Sequence, residues 1–403
     1  MRSNYKRLGD FIRLVDKRNR DSRVQELLGI NIDKYFMPSV ANVVGTDLSK
    51  YKVVKPNQFA CNRMHVGRDY RLPVALSRFD HNIIVSPAYD VFEIIDTAQL
   101  LPDYLMMWFS RPEFDRNSWF YTDTDVRGKL GWDSFCEMQL PVPTIERQKE
   151  IVAEYNTVVN RIKLNEQLNQ KLEETAQAIY KRWFVDFEFP DKEGKPYKTN
   201  GGKMVWNEEL EKEVPEGWEV IPIKDFTIDM KNGGTPDRGV EKYWSSPDIP
   251  WIKTGEIENN ILIEAEEYIS TDGFKNSSAK MFPKDTVLVA LYGVTAGQVA
   301  YLKFNATTNQ ACCGMICKNE NHSSYLYYYL IVNQDEIANM AIGGAQNNLS
   351  KTMIEELPIL KPDNNILGSP SFKTIIGKRE KITRENQSLN SVKNLLLSKM
   401  AKG

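Results

Sequence analysis

From Ile145 to Trp183 the apolar positions recur in alternating steps of four and three. They run Ile151, Tyr155, Val158, Ile162, Asn165, Asn169, Leu172, Ala176, Ile179 and Trp183. With charged residues between them, this spacing predicts one uninterrupted helix with a coiled-coil seam and a solvated back. Such a stripe cannot be buried by its own helix. The comparable stretch is Phe372 to Met400, at the other end of the chain. Asn165-Glu-Gln-Leu-Asn169 and Asn386-Gln-Ser-Leu-Asn390 align at an offset of 221, which is internal repetition. Antiparallel pairing of the two helices would set Asn165 against Asn386 near a pseudo-two-fold axis. A buried polar pair there fixes helix register at some cost in stability; two exposed asparagines are the alternative.

The stretches on either side of the first long helix read as mixed domains that repeat in outline. Leu8-Gly-Asp-Phe11 is echoed by Ile223-Lys-Asp-Phe226 at an offset of 215. Tyr104-Leu-Met-Met-Trp-Phe109 is echoed by Tyr325-Leu-Tyr-Tyr-Tyr-Leu330 at 221, and Leu140-Pro141 by Leu357-Pro358 at 217. The drift in offset implies small insertions. The expected layout is a domain over 1–143, a long helix over 144–187, a Gly, Lys and Glu-rich connector over 188–217, a second domain over 218–361, and a second long helix over 362–403. In the first domain, Tyr51 to Ala60 and Asn82 to Tyr89 are strand candidates. Arg63 to Arg71 between them is a basic, glycine-containing loop suited to phosphates and base edges, or simply a solvated surface loop.

Composition adds constraints. At 403 residues there is room for two or three domains, and 41% hydrophobic with 26% charged residues is ordinary for a globular chain. No run of eighteen apolar residues and no signal-peptide pattern at the start make the cytoplasm the expected location. Five cysteines without a CxxC pair point to buried free thiols rather than disulfides or zinc. The net charge of -2 lacks the basic balance typical of a DNA reader.

Catalytic signatures are missing. There is neither a GxxxxGK[ST] phosphate loop nor any GxG spacing, and no Pro-Pro dipeptide of the kind that amino-group methyltransferases place beside a flipped base. His65, His81 and His322 are scattered. Pro190-Asp-Lys-Glu-Gly-Lys195 mimics a nuclease motif, but its carboxylates are adjacent in a connector rather than converging from separate strands. Tyr292-Gly-Val-Thr-Ala-Gly297 lacks a lysine and reads as a turn beside a strand.

What remains is a repeated scaffold carrying specific motifs. Val214-Pro-Glu-Gly-Trp218, Gly233-Gly-Thr-Pro236, Tyr243-Trp244 and Ile249-Pro-Trp251 resemble a target-recognition domain of the specificity subunit of type I restriction-modification systems. Ala178 to Phe187 is similar to that family's central conserved region. Asp16-Lys-Arg-Asn19, Ser39-Val-Ala-Asn42 and Met64 to Asp69 resemble another recognition-domain subtype. The first domain lacks the Gly-Gly-Thr-Pro loop, and the C-terminal helix lacks the Glu146-Arg-Gln148 start. The resemblance implies an α+β fold: two pseudo-repeated mixed α/β target-recognition domains separated by two long helices packed as an antiparallel coiled coil. It further implies a non-catalytic subunit that reads a bipartite, asymmetric target in double-stranded DNA. The chain itself would bind no cofactor. Its partners would be two modification (methyltransferase) subunits using S-adenosylmethionine and restriction (translocase-nuclease) subunits using ATP and Mg²⁺, with no membrane involved. A helix of about 38 residues is roughly 55 Å long, long enough to act as a ruler for half-sites about 34 to 36 Å apart.

Candidate DNA contacts in the first domain are Lys17, Arg18, Arg20, Arg23, Arg63, His65, Arg68 and Arg71, arginine being the usual reader of guanine and phosphate. In the second they are Lys231, Asn232, Thr235, Arg238, Lys253, Tyr292, Thr295, Gln298, Gln346, Asn347 and Asn348. Two rival classes stay open. A stand-alone enzyme would need pocket chemistry, and a coiled-coil adaptor would leave two domains of unlike subtype unexplained.

Overall fold

The computed structural model describes residues 5–39, 46–64, 66–122, 128–340, 348–368 and 371–400. The chain divides into two compact units, Met1–Ile162 with Ser388–Gly403, and Lys163–Gln387. In the first unit, short apolar runs form an antiparallel sheet of β1 (Ile12–Val15), β2 (Phe59–Cys61), β3 (Val74–Leu76) and β4 (Asp90–Ile94), in the order β1-β4-β2-β3. The expected strand from Tyr51 to Ala60 is interrupted, because Asn57 takes a left-handed backbone (φ 63°) after Pro56. Two proline-started helices, α1 (Pro102–Phe109) and α2 (Pro112–Phe120), pack Phe109 and Phe114 against Phe92 and Phe135.

The long helix α3 spans Ile145–Tyr180 and continues into a π-helical turn, Lys181–Val185. Its start is clasped by Gln148, which is fully buried with both ends of its amide satisfied. Its Nε2 donates to Gln99 O (2.9 Å) and Pro143 O (3.0 Å) while its Oε1 accepts from Leu101 N. The Glu-Arg-Gln start is therefore a structural clasp.

In the second unit the strands are β5 (Met204–Asn207), β6 (Lys212–Pro215), β7 (Asp229–Asn232), β8 (Ile249–Ile252), β9 (Asn260–Leu262), β10 (Glu267–Ile269), β11 (Val287–Ala290), β12 (Val299–Leu302), β13 (Thr307–Thr308) and β14 (Cys312–Ile316). They make a five-stranded sheet, β7-β14-β11-β12-β9, and a three-stranded one, β10-β8-β13. Helix α4 (Glu320–Val332) is buried almost all round, with Tyr325, Tyr327 and Tyr328 in the core. The stretch 188–217 is more ordered than a connector. Phe189 stacks between Tyr197 (4.6 Å) and Trp218 (5.0 Å), and β5 pairs with β6 as a hairpin.

The repeat is visible inside each unit. Tyr5–Arg7 pairs antiparallel with Gln139–Pro141 in one, and Glu219–Pro222 with Pro358–Lys361 in the other. Tyr104 donates its hydroxyl to Pro141 O (3.2 Å), and Tyr325 donates to Leu360 O (2.7 Å), each tying a helix to the strand that precedes a long helix.

The last helix, α5, spans Ser371–Lys399. In the second unit its N-terminal half runs antiparallel to the end of α3. Asn165 Nδ2 donates to Asn386 Oδ1 at 2.8 Å, Arg379 pairs with Glu173, and Tyr180 lies 6.4 Å from Phe372. In the first unit Leu397 and Met400 are buried in the core against which Ile151, Val152 and Tyr155 pack. One part of the expected seam is corrected. Beyond Ala176 the fully buried positions are Tyr180 and Phe184, with Ile179 and Trp183 only half-covered, because here the helix packs into a domain core and the π-turn rotates its buried face.

The asparagine pair makes a prediction. Asn386→Leu alone should destabilise the chain by about 1–3 kcal/mol by leaving the Asn165 amide unpartnered, whereas the double change to leucine should raise the thermal midpoint above that of the native chain. Scanning calorimetry of the three proteins checks the order; a single variant as stable as the native chain would refute the pairing's role.

Candidate nucleic-acid interface

In the second unit several of the selected residues meet around the segment Thr308 to Cys312. Gly234 N donates to Thr308 O (2.8 Å), Gly233 N to Cys312 O (3.1 Å), Asn309 N to Ile252 O (3.0 Å) and Leu291 N to Ala311 O (2.8 Å). Three otherwise separate loops are thus laced to one polar turn. The Gly-Gly pair is required by this closeness, since a Cβ on Gly233 would collide with Thr308 and one on Gly234 with Ser278. Trp251 Nε1 donates to Gly234 O (3.0 Å) and completes the loop's anchoring.

On this frame Thr235 donates its hydroxyl to Gln310 Oε1 at 2.5 Å. Arg238 lies over Trp244 (3.6 Å to the ring centre) and Trp251 (4.8 Å), so two aromatic rings hold its guanidinium in place. The same guanidinium pairs with Glu267 at 2.7 Å, and Lys253 reaches both Glu266 and Glu267 at 3.0 Å. Burial disfavours the charged form of Glu267, but hydrogen bonds from Arg238 and Lys253 outweigh it and hold the carboxyl below its ordinary value. Two of the cations selected for DNA are therefore neutralised by two adjacent carboxylates, Glu266 and Glu267. Asn309 and Gln310 were not among the selected residues. The polar run Thr307-Thr-Asn-Gln310 was their only signal, and pairing across 75 positions, as between Thr235 and Gln310, leaves no local trace.

Tyr292 and Thr295 sit on a turn, Gly293–Thr295, whose Val294 is fully exposed; Tyr292 bridges to exposed Asn348. Gln298 follows this turn, its Oε1 buried without a protein partner. Lys231 and Asn232 lie on the edge strand β7, with Lys231 on Asp229 (3.0 Å) and the Asn232 Oδ1 buried without a protein partner. Gln346 and Asn347 fall outside the described residues, as does His65.

In the first unit the selected cations fall into two groups. Lys17, Arg20 and Arg23 are exposed on a loop held by buried Asn19, whose amide bonds Val24 N and O. Arg18 is half-buried against Asp16 and Lys50 O. Arg68 and Arg71 are exposed beside Asp69 and Asp33. Arg63 is a correction. It is buried, pairs with Asp90 (2.6 Å), donates to Leu130 O and lies over Trp132 (5.5 Å), so its guanidinium is spent on the core. Among the described residues no cluster of His, Cys, Asp and Glu could hold a metal ion, and no helix is long and apolar enough to cross a membrane.

Residues 215–367, which contain this interface, match the type I restriction modification DNA specificity domain. The chain is 26% identical over 285 residues to the specificity subunit of the type I restriction enzyme MjaIX of Methanocaldococcus jannaschii, covering 68% of this chain and 62% of that subunit. It is 24% identical to the HindI specificity subunit of Haemophilus influenzae, with 98% of each covered. The crystal structure of a type I S subunit from M. genitalium shares the fold, with a TM-score of 0.57 at 15% identity over 98% of this chain and 95% of that one. The second unit is thus built on a DNA specificity domain. Along its whole length the chain is similar to specificity subunits of type I restriction enzymes in sequence and in fold.

Glu267→Gln should release Arg238 to phosphate, while Lys253 keeps its pair with Glu266. Non-specific DNA binding is expected to tighten, and the salt dependence of log K to steepen by about one phosphate contact; a titration series in salt measures both, and an unchanged slope would count against this interface.

Proposed function

We propose that this chain recognises a bipartite, asymmetric target in double-stranded DNA, one half per domain, and directs adenine methylation and restriction by partner subunits. The observation that carries the reading is the DNA specificity domain at 215–367, together with the recurrence of its helix-to-strand tie, Tyr325 to Leu360, as Tyr104 to Pro141 in the first unit. The chemistry then belongs to two modification subunits with S-adenosylmethionine and to restriction subunits with ATP and Mg²⁺, all in the cytoplasm. The long helices set the spacing between half-sites and offer these subunits a docking surface.

The paired state of Arg238, Lys253, Arg68 and Arg71 fits a subunit that binds DNA weakly alone and gains backbone contacts from its partners. Exchanging residues 218–361 for the corresponding domain of another specificity subunit should alter one half of the methylated target and leave the other half unchanged. Mapping methylated sites in cells carrying the complete system reads this directly; a target altered in both halves, or in neither, would overturn the assignment.

A further inference from the structure

The first unit exposes an aromatic ridge that the basic candidates do not account for. Tyr70 is 62% exposed and Phe120 78%, with Trp119 and Tyr121 each more than two-fifths exposed. Tyr70 and Trp119 are in ring contact at 5.5 Å, as are Phe120 and Tyr121. So much solvated aromatic surface in one place is unfavourable unless something covers it. Its placement is also specific. Tyr70 sits in the left-handed backbone region (φ 55°), a conformation a bulky residue holds only under constraint. The constraint is visible on both sides. Gly67 N donates to Gly128 O (2.9 Å), and Leu72 N donates to Asp115 Oδ1 (3.2 Å). Helix α2 buries Phe114 and Ser118 and turns Arg116, Trp119 and Phe120 outward at i, i+3 and i+4.

The charges around the ridge decide what covers it. Arg68 and Arg71 flank Tyr70, and Arg116 lies one helical turn from Trp119 and Phe120. Their partners are Asp69, Asp33 and Glu113, in exposed pairs of the kind that contribute little and can be exchanged for phosphate. The contrast within the same chain is Trp206 on the β5-β6 hairpin, equally exposed but set among Glu208, Glu209, Glu211 and Glu213, a surroundings that would repel DNA. Aromatics interleaved with arginines match a nucleic-acid surface, on which rings stack on bases and cations flank the backbone.

We infer that Tyr70, Trp119 and Phe120 form a stacking wedge that enters an opened base step of the DNA half-site read by the first unit, with Arg68, Arg71 and Arg116 on the adjoining phosphates. The inference rests on the proposed DNA-reading function and adds the mode of contact. Methylating a base requires taking it out of the stack, and a wedge beside it lowers the cost of opening the duplex.

The test uses the full chain assembled with its modification subunits and duplexes carrying 2-aminopurine at successive positions of the half-site. Native complex should brighten the probe at one step. Phe120→Ala, Trp119→Ala and Tyr70→Ala should abolish that signal and weaken binding roughly five- to a hundredfold, with the salt slope unchanged, while Arg71→Gln should lower the slope by about one. Phe120 is exposed enough that its truncation leaves the core intact, and an unaltered thermal transition verifies this. Aromatic variants that bind and brighten like the native complex would overturn the wedge. Variants that keep DNA affinity but fail to assemble with the modification subunits would overturn it too, assigning the ridge to a protein partner. Native complex that binds no DNA would instead remove the function on which the inference rests.

Discussion

Within the second unit everything is referred to the contact between the end of α3 and the start of α5. Apolar side chains alone would allow these helices to slide, since one leucine-sized contact replaces another. Two polar pairs, each with one buried member, remove that freedom. Asn165 must meet Asn386, and Glu173 must meet Arg379, whose guanidinium also reaches the Tyr327 hydroxyl at 3.4 Å on α4. A shift of one turn would leave a carboxylate and a guanidinium buried apart, which costs several kcal/mol. Burial disfavours the charged form of Arg379, but the neighbouring Tyr327 and Glu173 overcome this and keep it protonated. Lys303 adds a second lock, pairing with Asp285 (2.8 Å) from the turn before β11 and Glu380 (3.8 Å) from α5. The helix pair is therefore fastened to its domain as well as to itself.

The interface in the same unit follows a related logic. A polar turn, Thr308 to Cys312, gathers three loops by backbone hydrogen bonds, and the side chains above it are held by one another rather than by solvent. Arg238 is stacked, Lys253 is bridged and Thr235 is hydrogen-bonded by groups of the chain itself. Preorganisation of this kind favours discrimination over raw affinity, because each group must exchange a partner it already has. Carboxylates such as Glu267 offset neighbouring cations such as Arg238 and Lys253.

Much of this was legible in the residues. The two long helices, their mutual need, the Asn165 and Asn386 encounter and the internal repeat all follow from periodicity and offset, and the Gly233-Gly234 loop was a usable landmark. Other features were hidden. Arg63 looked like a ligand contact because basic residues surround it in sequence, yet Asp90 and Trp132 draw it inward. The stretch 188–217 looked like a linker because Gly, Lys and Glu dominate it, yet Phe189, Tyr197 and Trp218 stack across 29 positions.

The chain by itself determined which segments are helical and which of them need a partner, since these depend on residues close together in sequence. Only the tertiary structure decided which cations are free to act, because that depends on carboxylates and rings brought in from far along the chain. Glu267 beside Arg238, Asp33 beside Arg71 and Trp119 beside Tyr70 are separated by tens of residues. Periodicity reports the burial of a face; it carries no information about which distant charge will be set opposite a given side chain.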